Sequence, residues 1–388
     1  KEIGLQSYRF SLSWPRILPS GTGRINDKGL DFYSRLVDEL LANDIIPFPT
    51  LFHWDYPYEL YVKGGWLNPD SSDWFAEYTA AVVEKLSDRV NHWFTLNEPE
   101  VFVDLGHVKG VHAPGVKLQQ RDTIRIIHNV LLSHGKSVKA IRDNTRQPAQ
   151  IGMAPVCNVV IPNDESQKSI DIAKEIMFGS NTEENFSPWS NSWWLDPVFF
   201  GNYPEESLKH LGKYLPEGYE KDMPIISQPL DFLGNNHYHG NYVSSDERGN
   251  TIHHKSPVGE ALTGFNWRVT PEGLYWGPKF LFERYKKPII ITENGLSNKD
   301  WVALDGKVHD PQRIDFTQRY LREYKRAADD GVELAGYFHW SIMDNFEWAY
   351  GYRERFGLVH VDFETQKRTI KDSGYWYGDV INSNGENL

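Results

Sequence analysis

Residues 289–295 read Ile289-Ile290-Ile291-Thr292-Glu293-Asn294-Gly295. Successive side chains of a strand point to opposite faces of the sheet, so three β-branched apolar residues in a row predict a strand buried on both faces. The run ends in a carboxylate and stops at a glycine, which places Glu293 where the strand emerges from a low-dielectric interior. An isolated strand-end Glu is ordinarily a loop cap. A second stretch, His92-Trp93-Phe94-Thr95-Leu96-Asn97-Glu98-Pro99, has the same design, an apolar run closed by a carboxylate.

Outward from these two stretches, strand-like runs alternate with helical ones. Ser7 to Trp14 predicts a strand, and Gly29 to Asn43 a helix with Leu30, Tyr33, Leu36, Val37, Leu40 and Leu41 on one face. Ile45 to Leu51 leads into His53-Trp54, although Pro47 and Pro49 suit a sheet edge better than a central ladder. Helices are expected over Ser72 to Leu86 and Thr123 to Arg142, and a strand over Gln150 to Val156. Asn158 to Pro229 reads as an elaborated connection, with a helix near Asp171 to Met177. Asp231 to Tyr238 is the next strand. Thr270-Pro271 and Asp310-Pro311 each place a cap before a proline, the signature of a helix start, and Gly331 closes the second of these helices. Leu334 to Ser341 is the last strand, with a further helix near the C-terminus.

Repeated strand–helix alternation implies parallel strands with helices outside, in an open sheet or a closed barrel. The polar residues that could do chemistry fall at strand C-terminal ends, the arrangement of an α/β protein of the (β/α)8 TIM-barrel type. Seven strands are countable, near residues 8, 47, 94, 152, 234, 290 and 337, where a closed barrel has eight. The chain opens with Lys1-Glu2-Ile3-Gly4-Leu5, read as the end of a helix in progress. The expectation is therefore one catalytic domain over 1–388 that lacks its first β/α unit.

Charge and cysteine content exclude several function classes. With 41 basic and 53 acidic residues the net charge is −12, which disfavours nucleic acid and anionic membrane as partners. Cys157 is the single cysteine, so there is no intrachain disulfide and no thiolate metal cluster. No run reaches the roughly 18 apolar residues of a membrane span. Aromatics make up 14% of the chain, a load that either core packing or stacking on sugar faces accounts for. Asn185-Phe186-Ser187 is the one sequon noted, and a cytoplasmic location is expected, with any targeting signal upstream of Lys1.

Two carboxylates brought to one rim by different strands suit cleavage of a glycosidic bond with retention, in which one attacks the anomeric carbon and the other protonates the departing oxygen. Arg9 and Tyr238 are of the types that would hold Glu293 ionised, whereas Glu98 has no evident cationic neighbour. Glu293 is thus expected to be the nucleophile and Glu98 the acid/base. His53, Trp54, Asn97, Asn236, Trp340, Glu347 and Trp348 lie at strand ends and supply hydroxyl-binding groups and flat apolar faces. Each alone has an ordinary core explanation. A Glu and two Trp within residues 340–348 do not, since Glu347 is costly to bury without a partner.

The stretches YRFSLSWPRILPSG (8–21), LFHWDYP (51–57), TLNEP (95–99), IITENG (290–295) and GYFHWSIMDNFEWAYGYRERFGLVHVD (336–362) resemble the family 1 glycoside hydrolases, in order and across essentially the whole chain. The resemblance implies a (β/α)8 barrel, a retaining mechanism and no cofactor. It places the acid/base on Glu98 and the nucleophile on Glu293. It also places glycone binding on His53, Trp54, Asn97, Glu347 and Trp348, with Trp340 as the sugar platform. Arg9, Asn236 and Tyr238 match residues that position the nucleophile, and Trp267 matches an aglycone-side wall. Glu347 in NFEW resembles the branch that takes plain rather than phosphorylated sugars, and Glu98 argues against the thioglucosidase branch. The expected ligand is a β-glucoside or cello-oligosaccharide, with glucose favoured over galactose. An open seam left by the absent strand would be closed by a shift of the chain, by self-association with another copy, or by a separate N-terminal segment. A sugar-binding remnant without activity is the competing reading.

Overall fold

The proline-bearing stretch after residue 45 is a strand inside a sheet. In the computed structural model, which describes residues 1–388, β1 (Ser7–Ser11), β2 (Ile46–Phe52), β3 (His92–Asn97) and β4 (Gln150–Ala154) form a four-stranded parallel sheet in that order. Backbone donors of a strand alternate between its two neighbours. Ile46 N–H donates to Gln6 O, so the even-numbered residues of β2 face β1, while Pro47 and Pro49 lack only donors on the other side. The β2–β3 pairing accordingly begins at Thr50, past both prolines, whereas the β1–β2 pairing runs from Ile46.

This sheet belongs to the first of two compact units, residues 6–156 with 178–234. Its helices include Asp27–Ala42, Ser71–Leu86 and Gln120–Asn144. In the first of these Leu30, Tyr33, Val37 and Leu40 are buried as expected, Leu36 is half-buried, and Leu41 is exposed because the buried stripe is narrower than the apolar one. Much of the aromatic load is structural. Trp14 is fully buried, with ring centroids 5.3 Å from Tyr78 and 5.4 Å from Phe75, and Phe52 lies 5.3 Å from Trp66. Gly152 leaves room for Phe232, whose Cε2 would lie 2.1 Å from a Cβ at that position.

The second unit comprises residues 1–5, 157–177 and 235–388. Its strands are β5 (Val159–Pro162), β6 (Leu233–Asn236, where the division falls), β7 (Gly240–Ser245), β8 (Thr251–His253), β9 (Ile289–Asn294), β10 (Leu334–His339), β11 (Val359–Val361) and β12 (Arg368–Ile370). They pair in the orders β10-β9-β6, β5-β7-β8 and β11-β12. Every residue of β9 is buried, as its apolar run requires. β5, β7 and β8 were not foreseen, and β5 lies in the region read as an elaborated connection.

The helix Gly273–Tyr285 starts later than Thr270-Pro271 suggested, because the Thr270 hydroxyl accepts from Gly240 N instead of capping. Pro311–Asp329 starts where expected, and Gly331 follows its end with φ of 85°. The Asp310 carboxylate does not cap this helix either. It accepts from Arg313 Nη1 at 2.5 Å, Ser373 N at 2.9 Å and Ser373 Oγ at 2.6 Å. Arg313 Nη2 also reaches Asp300 at 2.8 Å, and Lys371 Nζ joins Asp300 at 2.5 Å to Asp344 at 2.8 Å, all inside the protein. No helix is long and apolar enough to cross a membrane.

Candidate active site

Each unit carries one of the two strand-end carboxylates. In the first unit Arg9 and Ser11, two apart on β1, share a face of the sheet. Arg9 Nε donates to Thr50 Oγ1 at 3.1 Å, and its Nη2 donates to Asn97 Oδ1 at 2.5 Å. That second bond fixes the Asn97 amide with its NH2 toward His53, where Nδ2 donates to Nε2 over 3.1 Å. Nε2 is therefore an acceptor, and the imidazole proton sits on Nδ1, which donates to Ser11 Oγ at 2.6 Å. Burial, and then the nearby Arg9 charge, push the His53 imidazole down to about 3, in keeping with a neutral ring. Trp54 Nε1 donates to the Asn97 carbonyl at 3.0 Å.

Glu98 follows β3 directly and is 7% exposed. Its φ is 45°, a left-handed conformation that non-glycine residues rarely adopt. Its N–H donates to Ala154 O at 2.8 Å, which carries the β3–β4 ladder up to the carboxylate. Trp54 (φ 80°) and Trp348 (φ 43°) are also left-handed. Such strain, of order 1–3 kcal/mol each, persists where surrounding structure over-determines it, and it concentrates at functional sites.

In the second unit Glu293 is 3% exposed near the end of β9, and Tyr238 OH donates to its Oε2 at 2.7 Å. The strand end is pinned on both sides of it. Thr292 Oγ1 donates to Asn236 Oδ1 at 2.6 Å, Asn294 Nδ2 to His237 O at 2.7 Å, and Tyr337 OH to Asn294 Oδ1 at 2.8 Å. Trp340, just past β10, donates its N–H to Asn294 O at 2.8 Å. Gly295 is required at its position, since a Cβ there would stand 2.0 Å from Trp340 O.

Glu347 and Trp348 lie in a tight turn in which Glu347 N–H donates to Gly351 O at 2.7 Å. Burial, then the negative charges of Glu293 and Glu354, push the Glu347 carboxyl up to about 8, so it carries its proton at neutral pH. Trp267 lies 5.1 Å from Tyr238 between ring centroids. No group of three or more His, Cys, Asp and Glu side chains is placed to hold a metal ion.

Glycosyl hydrolase family 1 matches residues 1–386. The chain belongs to this family. Family 1 enzymes are glycoside hydrolases with a (β/α)8 barrel, and this chain is a glycoside hydrolase of that fold class. It is 46% identical to a 1,4-beta-D-glucan glucohydrolase of Thermotoga neapolitana, over 99% of this chain and 84% of the relative. It is also 46% identical to Beta-glucosidase A of Acetivibrio thermocellus, over 99% and 85%. A beta-glucosidase of Thermotoga maritima solved with deoxynojirimycin superposes with a TM-score of 0.88 at 43% identity, over 99% of this chain and 84% of that one.

Within the family 1 fold, sequence reasoning passed over Ser11, Thr50 and Glu100. Ser11 was findable from strand period, being two residues from Arg9, whereas Thr50, three residues from His53, was not. Glu100 carried no such signal. It is 1% exposed in the short helix Pro99–Val103 after Glu98, and burial pushes its carboxyl up to about 7.

Proposed function

We propose that the chain hydrolyses terminal non-reducing β-D-glucosyl residues, with β-galactosyl as the second choice, from small glucosides and cello-oligosaccharides. The sequence kinship to proteins named beta-glucosidase and 1,4-beta-D-glucan glucohydrolase, with both strand-end carboxylates in place, carries this reading. In the first step a Glu293 carboxylate oxygen attacks the anomeric carbon while Glu98 gives its proton to the departing glycosidic oxygen. In the second, Glu98, now ionised, takes a proton from water as that water displaces Glu293 and releases β-glucose.

Tyr238 holds the attacking carboxylate in place, and Asn236 fixes the adjacent residue of the strand. Arg9 orders Asn97. His53, Trp54, Asn97, Glu347 and Trp348 take the sugar hydroxyls, Trp340 supports the C–H face of the ring, and Trp267 walls the leaving-group side. A single domain with no cofactor is sufficient for this chemistry. No observation favours an inert sugar-binding remnant.

An aryl 2-deoxy-2-fluoro-β-glucoside slows both steps, the second more than the first, so it should load the protein with one glycosyl ester. Peptide mass spectrometry should find the ester on the fragment containing Glu293. An adduct elsewhere, or α-glucose as the first-formed product by NMR, would overturn the assignment.

A further inference from the structure

The second unit carries a cavity of about 440 Å³ lined by the β11–β12 hairpin, Arg355 and Val302. Strand period explains the hairpin's share of the lining. His360 pairs across the two strands with Thr369, and directly opposed residues share a face. Asp362 lies two positions after His360 and Lys367 two before Thr369, so both fall on that face as well.

Half of the Arg355 guanidinium is used inside the protein. Nη1 donates to Asp344 Oδ2 at 2.6 Å and to Val361 O at 3.0 Å, and the group lies over the Phe363 ring at 4.9 Å from its centroid. Nε and Nη2 have no acceptor within the protein. His360 is 7% exposed, yet neither of its ring nitrogens has a hydrogen-bond partner within the protein, where a buried polar group ordinarily has one. Burial, and then the Arg355 charge, lower its proton affinity, so the ring is neutral and keeps one N–H to donate. The Lys367 ammonium makes no ion pair, and the Thr369 hydroxyl makes no hydrogen bond within the protein.

The buried end of the cavity is therefore a set of donors. The acidic groups stand toward solvent. Glu364 is exposed, and Asp362 Oδ1 is committed to its own turn, where it accepts from Glu364 N at 3.0 Å and Thr365 N at 3.2 Å. An Arg edge that offers Nε–H and Nη2–H side by side matches two oxygens of one oxyanion, and here its plane is already fixed by Asp344 and Phe363. Lys367, Thr369 and His360 supply donors for a third oxygen. The volume exceeds what a free phosphate fills and lies in the range of small-ligand sites, about 300–1,000 Å³. We propose that this cavity binds a small phosphate monoester, with the phosphate on the free edge of Arg355. The site is independent of the substrate assignment above.

Calorimetric titration of the full chain with glycerol 3-phosphate, inorganic phosphate and glycerol tests this. The monoester should bind saturably at one site per chain, inorganic phosphate more weakly, and glycerol not measurably. Lys367→Ala, at an exposed position, should weaken the monoester by about two- to fivefold and leave turnover of an aryl β-glucoside unchanged. Arg355→Lys keeps a cation against Asp344 but loses the fork, and should weaken the monoester by about tenfold. Equal affinity for the two anions would overturn the ester and leave free phosphate as the occupant. No saturable binding of either anion, or affinities unchanged in both variants, would overturn the site itself. Should Arg355→Lys not fold, Lys367→Ala decides alone.

Discussion

Tyr238 and Glu293 meet through one hydrogen bond, hydroxyl to Oε2 at 2.7 Å, while His237 N–H donates to the Glu293 carbonyl at 2.8 Å. Side chain and main chain of the carboxylate are thus both held by the segment that follows β6. A hydrogen bond of this kind is worth about 1–3 kcal/mol, and this one fixes the orientation of the carboxylate oxygens. Tyr238→Phe keeps the ring and removes the hydroxyl. It is expected to lower kcat/KM on an aryl β-glucoside by about 10- to 100-fold with little change in melting temperature. Steady-state kinetics beside a thermal melt would check this, and unchanged kinetics would remove Tyr238 from the positioning set.

Glu347 has its carboxyl raised from 4.5 to about 8 by burial and by Glu293 and Glu354. Between those two values the unfolded carboxyl is ionised and the folded one is not, so unfolding releases a proton and stability falls as pH rises. Above about 8 both forms are ionised and no further stability is lost. Glu347→Gln removes this dependence. The variant is expected to match the parent at low pH and to exceed it by about 2 kcal/mol near pH 8, after allowance for partial exposure. Under the sugar-binding role proposed for Glu347, the variant should also bind glucosides less well. Calorimetric melts at both ends of the window test the first half, and inhibitor binding tests the second.

How much of this was legible in sequence depends on how local the cause is. β3 and β9 were readable because burial on both faces writes mainly apolar stretches, Trp93, Phe94 and Leu96 in one and Ile289–Ile291 in the other. The carboxylates at their ends were readable because Glu98 follows β3 directly and Glu293 lies near the end of β9. The prolines of β2 misled, because their cost depends on which neighbour each missing donor faces, and register is not a local property. Thr270 and Asp310 marked helix starts correctly in kind, yet both side chains serve partners far along the chain, Gly240 for Thr270 and Ser373 for Asp310. The left-handed backbone at Trp54, Glu98 and Trp348 had no signal at all, because no glycine or asparagine marks it.

Lys371 is fully buried between Asp300 and Asp344, with ammonium-to-carboxylate distances of 2.5 and 2.8 Å. Burial, and then the charge of Arg313, lower its proton affinity, so the two carboxylates are what keep it charged. Lys371→Met would strand Asp344 and Asp300 with fewer cations in a dry site. Breaking such a pair costs about 3–5 kcal/mol, more than an exposed bridge is worth. Asp344 also accepts from Arg355 and from Gly357 N, and residues 344–357 include Glu347 and Trp348. Urea denaturation should show the full loss, and sugar affinity should fall with it. A stability within about 1 kcal/mol of the parent would mean that the cluster is held by Arg313 and Arg355 without the lysine.

His53 offers the sharpest test of the hydrogen-bond logic. Arg9 fixes the Asn97 amide, the amide donates to Nε2, and Nδ1–H must then donate to Ser11, so a second proton has nowhere to go without breaking one of these bonds. Burial and Arg9 both oppose the charged ring, which titrates only near 3. The His53 ring signals should therefore be flat by NMR from about pH 5 to about pH 8, where an ordinary imidazole changes charge. Asn97→Asp replaces the donor at Nε2 with an acceptor and a negative charge, and it should bring the His53 titration up toward neutrality. Ser11→Ala leaves Nδ1–H without its acceptor and should cost about 1–3 kcal/mol while leaving the ring neutral. A parent ring that titrates in the neutral range would show that the amide is turned the other way, and that Arg9 does not set the tautomer.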